Sequence, residues 1–584
     1  MGRKTRTEDL CILVGVFIFM WALLYSKAPF RLDLKEQLSI FLLGADRVEW
    51  YLSNPAIAAS IIGDWLTQFY SSRMLSSLIS ISLILSVVAG LARLFRISEP
   101  QRPVCLPLLV LPALLECFFV SFPNYPVSAT VGLALSVWTA TALARIKDSE
   151  WSSFIYGLSV PVMFVIAGSH AFTMALLLAF IKRKDGSVPY ISLIAGIALM
   201  LICGRLYNLT FYQTLIWPVT PGYIIPGAVW MILMPWFVLA VTALSLLYDK
   251  WIGNRWRSLV PAVLFCMLIP LIFALDNKEM ESTVKIGTLA YRNNWKEVKQ
   301  MAASAKPKDR NMYSDYYWNL CNAREGRLAD FLLQGGWGRS KEKLFLSTTR
   351  GDSYFSSMYY TDALLEMGDI SQATDCALLV QTIVPGHYST RMLRRLSEIA
   401  VVAGDYPVAA KYLNILMRTR NHRRWARELM DCIQKDSIPD MYLRWRSKAC
   451  STDRFFVQGD SRSSLAIIAS QSPYNREAID YLMCSCLLDK NLNSFIGLYD
   501  KYYLNALDKV VEVPVLYQEA LLVNVNSNES LQETVRKYNI STDVVNKYLE
   551  LMDARAHDQH PESVMTGNAM GSYWHYIMAV RFNN

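Results

Sequence analysis

Apolar residues are unevenly distributed along this chain. Through the first 275 residues they gather into long runs: Leu10–Tyr25, Met74–Leu94, Val104–Phe122, Val127–Leu143, Phe154–Ile181, Val188–Tyr207, Gly227–Tyr248 and Leu259–Leu275. Most are close to the roughly 20 residues with which an α-helix crosses a ~30 Å hydrocarbon core. Phe154–Ile181 is longer and is interrupted by Gly168-Ser169-His170, which predicts a hairpin of two short helices. The pattern thus predicts about nine transmembrane helices. After Asp276 it changes to helices of ordinary length joined by short polar turns. The expected fold class is all-α: a polytopic helical membrane domain over residues 1–275, then a helical-repeat, or α-solenoid, domain over 276–584.

Charge decides which way such a domain faces. Of the chain's net +9, a surplus of 7 lies in residues 1–275, where 20 Lys+Arg stand against 13 Asp+Glu. Cytoplasmic loops collect Lys and Arg. With the hairpin at 154–181, five basic segments fall on one side: Arg3/Lys4/Arg6, Arg93/Arg96/Arg102, Arg145/Lys147, Lys182/Arg183/Lys184 and Lys250/Arg255/Arg257. Leu10–Tyr25 then reads as a retained anchor, since Lys27-Ala28-Pro29-Phe30 is a poor cleavage site. These features predict a multi-pass protein of the inner (plasma) membrane, with its N-terminus cytoplasmic and its C-terminal domain periplasmic or extracellular. The small surplus left after residue 275 gives no basic face for nucleic acid.

The first outer loop, residues 26–73, is long and apolar. Leu38–Leu43 and Trp50–Tyr70 carry apolar and aromatic residues at helical spacing, broken by Asn54-Pro55 and Gly63. They predict amphipathic helices at the outer interface, where Trp50, Tyr51, Trp65 and Tyr70 suit the headgroup level.

In the second half one turn recurs. Gly368-Asp369-Ile370-Ser371-Gln372-Ala373 and Gly404-Asp405-Tyr406-Pro407-Val408-Ala409 match across 36 positions. Gly326-Arg327-Leu328-Ala329-Asp330-Phe331 and Asn293-Asn294-Trp295-Lys296-Glu297-Val298 fit the same frame, and Lys490–Phe495 is a weaker fifth copy. A Gly or Asn in the left-handed conformation ends one helix, and small or apolar residues behind it let the next lie alongside. Turns are therefore expected at Asn293, Gly326, Gly368 and Gly404. Here the sequence resembles tetratricopeptide repeats, over Tyr359–Leu416 and back to Lys285. The resemblance implies a surface for a protein partner or a glycan.

Candidate chemistry is sparse. The 11 cysteines contain no C-x-x-C, and a Cys432–Cys450 disulfide is a possibility in an oxidising compartment. No metal-ligand spacing, phosphate-binding glycine motif or nucleophile elbow occurs, so no cofactor is expected. Glu116, His170 and Arg205 are polar groups near the outer ends of predicted spans, and ionisable groups at that depth suggest function. Structural pairing of Glu116 with Arg205 is the plainer reading.

This layout resembles membrane-embedded glycosyltransferases that use lipid-linked sugar donors. In those an acidic pair in the first outer loop acts as base and metal ligand. By position the candidates are Asp46 and Glu49, which Arg47-Val48 separates, and the chain has no D-x-D or D-E pair in this loop. It resembles still more closely a group of uncharacterised bacterial multi-pass proteins, through Glu36-Gln37, Leu66-Thr67-Gln68-Phe69-Tyr70 and the C-terminal Tyr573-Trp574-His575-Tyr576. That resemblance implies no known activity. The leading expectation is an envelope scaffold or assembly factor anchored in the lipid bilayer. The alternatives are a lipid-linked glycosyltransferase and a transporter.

Overall fold

The computed structural model describes residues 2–98, 106–146, 150–184, 187–219, 225–251, 276–305, 311–333, 354–384, 388–449, 461–504, 512–523, 527–557 and 571–579, with short pieces at 270, 344–346, 386 and 525. Every described element is a helix, so the protein is all-α. The chain forms two compact units: residues 1–285 with 383–391 and 415–426, and residues 286–382 with 392–414 and 427–584.

The first unit contains α1 (Gly2–Lys27), α2 (Pro29–Gln37), α3 (Ala45–Leu52), α4 (Ile57–Thr67), α5 (Arg73–Ser98), α6 (Leu106–Leu109), α7 (Leu111–Val120), α8 (Val127–Leu143), α9 (Glu150–Ala167), α10 (Ala171–Ile181), α11 (Val188–Leu206), α12 (Phe211–Ile216) and α13 (Ile225–Trp251). Four helical stretches among the described residues are long and apolar enough to cross a membrane: Arg73–Ile97, Trp151–Ile181, Val188–Leu206 and Ala228–Ser245. Leu13–Lys27 with Pro29–Gln37, bent by 73°, is a fifth candidate. Of the other predicted spans, 104–122 appears as the short helices α6 and α7, Val127–Leu143 is a 17-residue helix, and 259–275 falls outside the described residues save for 270.

The Trp151–Ile181 stretch is interrupted where the sequence is, but it is not bent by more than 40° there and runs on as one 31-residue candidate span, not as the expected hairpin. Gly168 adopts φ +77°, a conformation that ends α9 and that an L-residue disfavours. The Ser169 N–H turns out to the Trp217 carbonyl (3.0 Å), and α10 starts at Ala171. Both α9 and α10 pack on α8. Close helix approach is made by small residues, as dispersion-driven packing between apolar helices favours. A Cβ at Gly196 of α11 would lie 2.3 Å from the Gly157 carbonyl oxygen of α9.

Leu38–Leu43 is not helical. It is the irregular connection between α2 and α3, because the last carbonyls of α2 are taken from elsewhere. The Ser389 hydroxyl donates to the Gln37 carbonyl (2.7 Å) and Thr390 to that of Glu36 (3.0 Å). With these acceptors occupied, the helix stops and the chain leaves.

The second unit contains α14 (Lys278–Tyr291, from Ile286), α15 (Trp295–Ser304), α16 (Met312–Arg324), α17 (Leu328–Phe331), α18 (Tyr354–Met367), α19 (Ile370–Ile383, all but its last residue), α20 (Thr390–Ala403, from Met392), α21 (Tyr406–Leu416, to Asn414), α22 (Arg423–Gln434, from Arg427), α23 (Asp440–Lys448), α24 (Ser461–Gln471), α25 (Arg476–Leu488), α26 (Leu492–Tyr499), α27 (Val515–Leu522), α28 (Asn528–Tyr538), α29 (Thr542–His557) and α30 (Tyr573–Ala579); the remaining residues of α14 and α19–α22 belong to the first unit. Its corners share one hydrogen-bond pattern. Asn293, Gly326, Gly368, Gly404, Asp436 and Lys490 all have positive φ. In each case that residue's N–H and the next one reach back to the preceding helix, as in Gly368 N to Leu365 O (3.3 Å) and Asp369 N to Leu364 O (2.9 Å). This is the Schellman termination, in which a left-handed residue satisfies the orphan carbonyls of the helix end.

At four corners the residue after the left-handed one also caps the next helix. The side-chain oxygens of Asn294, Asp369, Asp405 and Asn491 accept the N–H groups of Glu297, Gln372, Val408 and Ser494. Two residues thus close one helix and open another, which keeps each connection short.

The remaining carbonyls at several helix ends are satisfied by side chains from later in the chain. Arg395 donates to Tyr291 O (3.1 Å) at the end of α14, and Asn475 to Met367 O (2.8 Å) at the end of α18. Arg446 donates to Val401 O and Val402 O at the end of α20. Tyr576 donates to Leu488 O (2.7 Å) and Tyr573 to Leu487 O (2.9 Å) at the end of α25. Cations and hydroxyl donors suit the negative end of a helix.

Candidate functional site

The densest polar arrangement of the first unit is built around α2. Its sequence, Pro-Phe-Arg-Leu-Asp-Leu-Lys-Glu-Gln, begins with a proline at the first helical turn, where the missing N–H costs nothing. Leu32 and Leu34 are two residues apart and so lie about 160° apart around the helix, leaving no single apolar face. All of Arg31–Gln37 is buried. Buried charges must be paired or hydrogen-bonded, and here each is.

Arg31 donates through Nε to Glu281 (3.0 Å) and through Nη2 to the Lys27 carbonyl (2.8 Å). Glu281 also accepts the Phe30 N–H (2.8 Å). Burial raises the Glu281 carboxyl above the ordinary carboxylate range, while the Phe30 N–H and Arg31 pull it back. Lys35 Nζ donates to the Tyr125 carbonyl (2.7 Å), and the Tyr125 hydroxyl donates to Glu116 (3.0 Å). Thr130 (2.7 Å) and the Trp230 indole N–H (3.0 Å) complete the shell of Glu116.

At the far end of α2, Gln37 Nε2 donates to Asp33 (2.9 Å) and its Oε1 accepts from Arg391 (3.1 Å). Glu36 accepts from Asn421 (2.9 Å), and His422 Nε2 lies 3.6 Å from the same oxygen. A second node sits between α3 and α4. Arg47 bridges Asp64 (2.8 Å) and the Gly386 carbonyl (2.8 Å), Tyr51 donates to Asp64 (2.8 Å), and the guanidinium lies over the Trp50 ring at 4.1 Å.

The residues singled out from the sequence are dispersed. Asp46 and Glu49 are exposed on α3, on either side of the inward-turned Arg47. Among the described residues neither forms a hydrogen bond or ion pair, and neither meets Glu116, His170 or Arg205. Those three are not joined to one another either. Glu116 is saturated by Tyr125, Thr130 and Trp230; His170 is buried with Nδ1 3.3 Å from the Thr173 hydroxyl; Arg205 is exposed near the end of α11. The separation follows from local supply: three neutral donors already surround Glu116, so it needs no arginine.

The residues that sequence reasoning passed over are Arg31, Lys35, Arg47 and the contacts of 389–391 and 421–422. The one signal for them was the absence of an apolar face on α2. Chemically, the α2 network is a clamp: its carboxylate oxygens are occupied by donors and hold a helix in place. Among the described residues no cluster of three or more His, Cys, Asp or Glu side chains could hold a metal ion. Cys450, the suggested partner of Cys432, lies outside them.

In the second unit, Trp295, Lys296, Lys299, Gln300 and Ala303 of α15 face Trp318, Cys321 and Arg324 of α16, with Glu325, across an open groove of about 500 Å³. Arg324 lies over the Trp295 ring at 4.3 Å and pairs with Glu366 of α18, and Lys299 pairs with Glu325. The groove is aromatic, with a basic rim.

No curated protein and no solved structure matches the chain. A family model matches residues 4–579, nearly the whole length, including α2, both polar nodes and the C-terminal Tyr573-Trp574-His575-Tyr576, and the chain belongs to that family, described as a family of unknown function (DUF6057).

Proposed function

We propose that the protein is a membrane-anchored scaffold or assembly factor of the cell envelope, in which a tetratricopeptide-like helical-repeat domain is held outside the cytoplasm for a partner protein. The observation that carries this reading is the recurring corner of the second unit. Each corner closes one helix and most open the next with the same two-residue device, and such serial helix pairs build extended recognition surfaces. The groove between α15 and α16 supplies two tryptophans and an arginine, residue types enriched in binding hot spots. The positive-inside distribution of Lys and Arg supports the outward orientation, and the inner membrane is its natural site.

The glycosyltransferase alternative rests on Asp46 and Glu49. Their exposed, unpartnered positions on α3 favour the scaffold, since a catalytic carboxylate is normally positioned by a neighbour. The test is photo-crosslinking in cells. A benzoylphenylalanine at Gln300 or Trp318 of the full-length protein is expected to give a discrete adduct that the same group at the exposed Tyr474 does not. Identical patterns at all three positions would remove the groove from the recruitment surface.

A further inference from the structure

A second groove, of about 580 Å³, lies wholly within the first unit. One wall is Phe41, Leu42, Leu43, Gly44, Trp65 and Gln68; the other is Arg418, Arg420 and Arg423. All three arginines are exposed, and among the described residues none of them forms an ion pair and no Asp or Glu lines the groove. Uncompensated like charges repel one another, so a convergence of three guanidiniums stands ready for an anion.

Two of the arginines are also held. Between them, Asn421 donates to Glu36 (2.9 Å) and to the Gln68 carbonyl (2.8 Å), and the buried His422 sits beside Glu36. Arg420 lies over the Phe69 ring at 4.4 Å, and Arg423 Nε donates to the Met417 carbonyl (3.1 Å), leaving its terminal nitrogens to the groove. Planar guanidiniums restrained in this way suit the oxygens of a phosphate, which they can bind in bidentate fashion.

The apolar wall decides between phosphate sources. Leu43 is 71% and Trp65 47% exposed, and Leu52 on neighbouring α3 is 60% exposed. A soluble phosphate has no use for such surface, whereas a phospholipid buries glycerol and proximal acyl carbons against it while its headgroup meets the arginines.

We propose that Arg418, Arg420 and Arg423 form a binding site for the phosphate of an anionic phospholipid, with Phe41, Leu43 and Trp65 receiving the base of its acyl chains. The inference does not depend on the scaffold reading.

The test uses the full-length protein in neutral detergent, with lipid retention read by native mass spectrometry. Phosphatidylglycerol and phosphatidylcholine are added separately, and inorganic phosphate is added as a competitor to the lipid-bound protein. Phosphatidylglycerol is expected to bind selectively, and the Arg418→Gln/Arg420→Gln/Arg423→Gln variant to hold it about a hundredfold more weakly. Inorganic phosphate at equal concentration should leave the lipid bound. Equal retention by wild type and variant overturns the proposal, as does displacement by inorganic phosphate, which would make this a soluble-anion site. Should the triple variant fail to fold, the Arg→Lys triple keeps the charges and loses the planar fork. It is expected to retain lipid at an intermediate level, and unchanged retention by it counts against the guanidinium geometry.

Discussion

At the scale of single residues, the corners of the second unit separate two costs that are usually mixed. Gly404 has φ +81°, and a Cβ built on it meets nothing within 4 Å. Gly404→Val should therefore cost only the left-handed penalty, about 1–2 kcal/mol. Gly368 has φ +88°, but its Cβ would lie 2.4 Å from the Lys448 carbonyl oxygen. Gly368→Ala adds a backbone collision to the strain and should be the more damaging change, although alanine is the smaller residue. Thermal melts of the full chain in detergent would rank the two. The opposite order would mean that the corner at Gly368 relaxes while that at Gly404 does not.

A third residue carries a pH signature. Burial raises the Glu519 carboxyl to about 7, although the Tyr573 N–H donates to it at 2.7 Å. Because the folded value lies above that of the unfolded chain, the stabilising contribution is complete at acidic pH and is lost as pH rises toward and through 7. The wild type should melt progressively lower between pH 5 and 8. Glu519→Gln keeps an acceptor for Tyr573 and removes the titration, so its melting temperature should vary less over that range. Parallel profiles for the two proteins would show that Glu519 is solvated.

Between elements, the last helix acts as a cap. Tyr573, Trp574 and Tyr576 of α30 are buried, with Trp574 Nε1 donating to Glu519 O (2.9 Å), and Lys490 returns a hydrogen bond to Ile577 O (2.6 Å). Tyr576→Phe leaves the Leu488 carbonyl without that donor and should cost about 1–3 kcal/mol. Hydrogen exchange should quicken in the last turn of α25 and in α30, while α15 and α16 stay protected. Uniform acceleration across the unit would mean that α30 is part of one cooperative core.

What could be read from the sequence divides along the same line. The corners at Asn293, Gly326, Gly368 and Gly404 were legible because left-handed φ is a local demand that Gly and Asn meet best. Their N-caps, Asn294, Asp369, Asp405 and Asn491, answer an equally local demand, since each directly follows the left-handed residue and accepts an N–H three residues on. The burial of α2 was not legible. Arg31 finds its carboxylate 250 residues away, and Glu36 and Gln37 find donors more than 350 residues on. Nothing in nine residues of alternating leucine and charge names those partners. Asp46 and Glu49 looked favourable by position in the loop, yet the helix turned Arg47 inward and left both acids in solvent.

For the whole molecule, the decisive question under the proposed membrane topology, with a cytoplasmic N-terminus, is whether residues 151–181 cross the bilayer once or twice, because that choice reverses everything after them. By length and composition the stretch could cross once. The left-handed Gly168 and the Ser169 N–H bonded to Trp217 interrupt the helix midway without bending it by more than 40°, so the case for two crossings rests on charge. Two further clusters follow, Lys182/Arg183/Lys184 and Lys250/Arg255/Arg257. A single crossing would place both outside, against the bias that sets orientation. A hairpin keeps both with the cytoplasmic N-terminus, and with a crossing at 259–275 it carries the C-terminus outside. Ser187→Cys should then react with an impermeant maleimide only after the cells are permeabilised. Alkaline phosphatase fused after the described α30 should be active, and a fluorescent protein at the same point dark. Labelling of Ser187→Cys in intact cells, together with a fluorescent C-terminal fusion, would establish the single crossing and place the second unit in the cytoplasm. The scaffold would then need a cytoplasmic partner, whereas the corners, the caps and the α2 clamp would be unaffected.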